Sequence, residues 1–91
     1  MKPTWVKIFE YASSPLHGTM SRKLRKGVHL QINEGKVYSQ AVLFLGEKFV
    51  RLTENNVDAA VNTYYDFERI DSVRTISKES LQGPPKVKEG R

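Results

Sequence analysis

The chain has 91 residues, a formal charge of +5 and no cysteine. A length like this holds one core and buries only about 60 to 65% of the unfolded surface. Without cysteine there are no disulfides, thiolate metal sites or cysteine nucleophiles, and a reducing cytoplasm is the expected compartment. No stretch approaches the roughly 20 apolar residues that span a bilayer, and the opening MKPTWVKIFEYASS lacks the apolar run of a signal peptide.

Fifteen bases against ten acids raise the expectation of a polyanionic partner, RNA or DNA, because neutralising phosphates gives affinity independent of sequence. Four of the bases form one short run, Arg22, Lys23, Arg25 and Lys26, and three more, Lys86, Lys88 and Arg91, lie near the end.

Thr4 to Ala12 reads two ways. Trp5, Ile8, Phe9 and Ala12 form a helical stripe, while the aromatic and β-branched content suits a strand; the stripe favours helix. After the break Ser13-Ser14-Pro15, Leu16, Met20 and Leu24 recur every fourth residue and Gly27 offers a stop, which predicts a second short helix ending there. Arg22, Lys23, Arg25 and Lys26 would occupy its last turns, each cation offsetting the dipole by about 0.3 to 1 kcal/mol.

Five strands are expected next. Val28 to Asn33 alternates Val28, Leu30 and Ile32 with polar residues; a turn at Glu34-Gly35 leads into Val37 to Leu45, whose AVLFL run is apolar on both faces, as in a bent central strand. Lys48 to Thr53, Ala59 to Phe67 and Val73 to Ser77 complete the set, with turns at Gly46-Glu47, Glu54 to Asp58 and DFERIDS. From Leu81 the chain reads LQGPPKVKEGR, a flexible tail, so residues 1–80 are expected to form one domain and 81–91 to lie outside it.

Such strands close into a small barrel or stay open under the helix. Ala59 to Phe67 carries only Asp66 and Val73 to Ser77 only Arg74, with no proline or lysine to discourage pairing between chains. If both are edges, the fourth strand of one subunit pairs with the fifth of the next, and that head-to-tail contact gives a ring or a fibre.

The segment VHLQINEGKVYSQAVLFLGEKFVRL, Val28 to Leu52, resembles without gaps the first motif of the Sm, LSm and Hfq proteins. It has three alternating apolar residues (Val28, Leu30, Ile32), a turn glycine (Gly35), an aromatic three residues on (Tyr38), a bent apolar strand, a tight turn at Gly46-Glu47 and a third strand, Phe49 to Leu52. YYDFERIDSVRTI resembles the family's last two strands, with Arg69 near its basic turn residue. The resemblance covers about 60 residues and is closest to divergent Sm-like proteins of bacterial or phage, including cyanophage, origin. It implies a mainly β fold in which an N-terminal helix precedes a five-stranded, strongly bent antiparallel Sm-like (SH3-like) barrel, assembled as a homo-oligomeric ring. Four motif positions depart: Gln40, Gly46, Val50 and the pair Arg69-Ile70 replace the family's second glycine, turn acid, asparagine and arginine-glycine. Those positions line the family's base pocket, so the resemblance implies a degenerate uridine pocket.

Lys48 stands at the turn where the family presents a base-stacking residue; as lysine it would contact phosphate, or serve as an ordinary solvated turn residue. Arg69 would hold a phosphate or base edge, or pair with Glu68 or Asp71. Arg22, Lys23, Arg25 and Lys26 form either an RNA-binding face or a solvated helix end. Val61, Tyr64, Tyr65, Phe67, Val73 and Ile76 are the expected oligomer contacts, with Tyr64 and Tyr65 on opposite faces. His17 and His29 have no ligand-spaced partner, and the carboxylates fall in turns, so no metal, cofactor or catalytic residue is expected. The leading expectation is a ring-forming protein that binds single-stranded RNA through phosphates. The alternatives are a structural or protein-interaction module, for example part of a phage particle, using the same oligomer without RNA, and a monomeric open SH3-like barrel.

Overall fold

The computed structural model describes residues 3–77; the tail expected over 81–91 lies outside them. The described chain is mainly β, with one N-terminal helix and two antiparallel sheets. Among the described residues no helix is long and apolar enough to cross a membrane.

Helix α1 (Pro3–Ala12) settles the ambiguous first segment as helix. Phe9 and Ala12 are fully buried and Trp5 and Val6 pack against the core, so one stripe faces inward. The second predicted helix is absent. In its place β1 (Ser13–Pro15) and β2 (Arg22–Leu24) form a hairpin, Ser13 opposite Leu24. The stripe misleads because its members do not share a buried face: Leu24 is 5% exposed and Met20 82%. Gly18, at φ 78, takes the left-handed conformation inside the connection, which a helix does not accommodate.

The remaining strands lie close to their expected positions: β3 (Val28–Ile32), β4 (Val37–Tyr38), β5 (Val42–Leu45), β6 (Phe49–Asn55), β7 (Ala60–Asp66) and β8 (Val73–Ser77). One sheet runs β1-β2-β5-β6-β7 and the other β4-β3-β8. The strand expected to run unbroken from Val37 to Leu45 divides at Ser39–Ala41: Tyr38 pairs with Leu30 in one sheet, Val42 with Thr53 in the other. Leu30, Leu43, Val50, Leu52 and Tyr38 fill the space between the sheets, and Phe9 stacks on Phe67 with centroids 6.4 Å apart.

The β3–β4 turn is centred one residue earlier than Glu34-Gly35. Asn33 (φ 55) and Glu34 (φ 58) are both left-handed and the Gly35 N–H donates to the Ile32 carbonyl, a geometry matched to the twist of a hairpin. Asn33 accepts this conformation readily and also ties the turn to the β7–β8 connection. Its Oδ1 accepts from the N–H of Asp71 (2.6 Å) and Ser72 (3.2 Å), its Nδ2 donates to the Arg69 carbonyl (2.9 Å), and its own N–H donates to the Ser72 carbonyl. At about 0.5 to 1.5 kcal/mol for each of the three side-chain hydrogen bonds, with up to about 1 kcal/mol more because Ala accepts the left-handed conformation less readily than Asn, Asn33→Ala is expected to cost about 1.5 to 5.5 kcal/mol. Asn33→Gly, which relieves the backbone term, is expected to cost about 1 kcal/mol less. Urea midpoints of the two variants check this order.

Candidate nucleic-acid interface

A helix ending without partners leaves four carbonyls unsatisfied. The last four of α1 are all served, three of them from the basic run. Arg22 donates to the Glu10 carbonyl (3.2 Å), to Ser13 Oγ (2.8 Å) and to the Ser13 carbonyl; Arg25 donates from its guanidinium to the Tyr11 carbonyl (2.8 Å) and from its backbone N–H to the Ala12 carbonyl (3.0 Å). Ser13 Oγ donates to the Phe9 carbonyl at 2.6 Å. The arginines thus do oppose a helix dipole, but that of the preceding helix, reached across the hairpin. Lys23 and Lys26 are exposed, and their side chains have no hydrogen bond or ion pair with a described residue.

The β5–β6 turn is closed by the Gly46 N–H donating to the Phe49 carbonyl (2.8 Å), and the Phe49 ring covers Gly46 so closely that a Cβ there would sit 2.5 Å from it. Lys48 follows, and its carbonyl accepts from the Phe67 N–H at 2.8 Å, which joins this turn to the 3-10 turn Phe67–Arg69. Asp66 Oδ1 caps that turn by accepting from the Glu68 N–H. Both Lys48 and Arg69 are exposed, and among the described residues Arg69 pairs with neither Glu68 nor Asp71.

The expected contact residues divide. Val61 (43% exposed) and Tyr64 (61%) lie open on β7, whereas Phe67 is a core residue against Phe9. Tyr65 turns inward: its hydroxyl meets that of Tyr38 at 2.8 Å, and burial, reinforced by this bond, pushes its pKa up. On β8, Val73 packs against the core, while Ile76 is half-buried and pairs with His29. Tyr64 also meets Phe49 (5.9 Å), which meets Phe44 (6.1 Å), and the Arg51 guanidinium lies 5.2 Å from the Phe44 ring centre. This aromatic and cationic row on the outer face of the five-stranded sheet follows from alternate residues on neighbouring strands, a signal carried by Phe44, Phe49, Arg51 and Tyr64 but not visible without the register.

Between β2 and the Ser39–Ala41 break lies an open groove of about 720 Å³. Lys23, Arg25, Lys26 and His29 line it with Gln40 and Asn55, and none of its lining residues is acidic. Four separate segments contribute, so only its basic side was visible in the sequence. Among the described residues no three His, Asp or Glu side chains gather as metal ligands. Comparison with family models, curated proteins and solved structures yields no match.

The capping geometry separates the basic run by role. Arg22→Ala is expected to lower stability by about 1 to 3 kcal/mol, since a charged donor to three acceptors is lost, and Lys23→Ala to change it by less than about 0.5 kcal/mol. Urea unfolding followed by circular dichroism distinguishes them.

Proposed function

We propose that the protein is a ring-forming, Sm-like module that holds single-stranded RNA mainly through its phosphates. The observation that carries this reading is the strand path from Val28 to Ser77. A first strand pairs with half of a bent second strand, two antiparallel strands follow, and one 3-10 turn returns the chain to pair β8 with β3. That path leaves β7 and β8 at the ends of different sheets. The remaining sheet ends are short, β1 with three residues including Pro15 and β4 with two, whereas β7 has seven and β8 five. Long unguarded edges favour pairing with another chain, and joining β7 of one copy to β8 of the next repeats head to tail.

The formal charge of +5 supports a polyanionic partner. Lys48 and Arg69 support a phosphate contact at the turns that the Phe67–Lys48 hydrogen bond joins, because neither cation is neutralised by a neighbouring described carboxylate. With Gln40, Gly46, Val50 and Ile70 at the pocket positions, base readout is weak and binding is largely sequence-neutral.

Fluorescence anisotropy with short oligouridylate and oligoadenylate tests this. Binding is expected at low salt, with log affinity falling linearly against log salt by about 0.7 per phosphate contact for a single strand. Replacing Lys48 and Arg69 together by alanine is expected to make the slope shallower by about 1.4. No binding at low salt overturns the RNA reading and leaves a protein-interaction module using the same edges.

A further inference from the structure

We propose that the groove between β2 and the Ser39–Ala41 break is a second phosphate-binding site, which holds the backbone of a single RNA strand independently of Lys48 and Arg69; this rests on the RNA-binding reading. Its composition is one-signed. Three permanently cationic side chains, Lys23, Arg25 and Lys26, share it with His29, although ten acids are scattered over the chain and none lines the groove. Cations gathered without counter-charges repel one another, and a bound polyanion relieves that repulsion.

The cations are also available. Lys23 and Lys26 make no ion pair with a described residue. Arg25 is held by the Tyr11 carbonyl and lies 5.2 Å from the Tyr11 ring centre, so one of its faces is fixed while it still lines the groove. Gln40 and Asn55 add amide groups suited to phosphate or ribose oxygens.

The local fold explains why these groups meet. Lys23 stands opposite Val42 across β2–β5, and Val42 stands opposite Thr53 across β5–β6, which carries the cation onto the outer face of the sheet. Gly27, left-handed at φ 82, turns the chain from Lys26 into β3, where His29 follows. The Ser39–Ala41 break adds Ser39, Gln40 and Ala41 to the lining.

The ligand class follows from what the groove contains and what it lacks. No Phe, Tyr or Trp lines it and His29 is its one imidazole, so stacking is confined to that ring while the three cations make phosphate the main group recognised. The groove is open to solvent, as a polymer requires to pass through. Lys48 and Asn55 flank opposite ends of β6, roughly 20 Å apart at the strand rise, so the groove and the Lys48–Arg69 turns are separate contacts.

The test measures anisotropy of the same two oligonucleotides with the full chain carrying Lys23→Ala and Lys26→Ala, across a salt series. Both lysines are exposed and outside the core, so an unchanged urea midpoint is expected and verifies the fold. Affinity at low salt is expected to fall on the order of ten-fold for both RNAs, with the salt slope shallower by about 1.4, and both losses are expected to add to those of Lys48→Ala with Arg69→Ala. Lys23→Arg with Lys26→Arg is expected to retain binding. Backbone amide shifts of Gln40 and Asn55 are expected to move on RNA addition. If the Lys23 and Lys26 variant binds like the wild type while the Lys48 and Arg69 variant weakens, the groove assignment fails and the RNA reading stands. If the wild type binds no RNA, both fail. If inorganic tripolyphosphate moves the Gln40 and Asn55 amides and RNA does not, the groove belongs to a small polyphosphate and the strand assignment is overturned.

Discussion

The corner between β7 and β8 is held from two sides, and the position of both strands depends on it. At its start the Phe67 N–H donates to the Lys48 carbonyl while the Phe67 ring is buried against Phe9. At its end the Asn33 side chain binds the backbone of Arg69, Asp71 and Ser72. With both ends fixed, the chain leaves the five-stranded sheet and enters the other beside β3. Two consecutive strands therefore become terminal strands of different sheets. Among the described strands these two sheet ends, seven and five residues long, exceed the three-residue and two-residue ends β1 and β4.

The basic residues also resolve through geometry rather than count. Arg22 and Arg25 sit near the α1 C-terminus and satisfy carbonyls that water or a cap would otherwise serve. Lys23, alternating with Arg22 along β2, faces away from that helix end. Arginine suits the first role, because its several donors reach multiple carbonyls at once; lysine, a mobile point charge, suits contact with a passing phosphate. One short run of four bases thus divides between two arginines bonded to the end of α1 and two lysines left exposed.

Much of this fold was legible because its strands follow simple alternation. Val28, Leu30 and Ile32 announce β3, and Val73–Ser77 appears with its expected ends. The first helix was legible from Phe9 and Ala12 on one stripe. The hairpin of β1 and β2 was not, because Leu16, Met20 and Leu24 imitate a helical repeat while the deciding contacts, Arg22 and Arg25 to the end of α1, join residues up to fourteen apart. The break at Ser39–Ala41 lies inside a continuous apolar run, so only pairing with two different partners reveals it. For the candidate site, the basic residues were visible by type. Their grouping with His29, Gln40 and Asn55 was not, since it depends on the hairpin that sequence periodicity concealed.

The proposed head-to-tail joining of β7 to β8 is tested by the solution mass of the full chain. Light scattering at micromolar concentration is expected to give a mass several times 10.4 kDa, and Val61→Glu, which places a charge on the exposed part of β7, is expected to shift the mass toward the single chain. A wild-type mass of 10.4 kDa across the micromolar range would contradict the account.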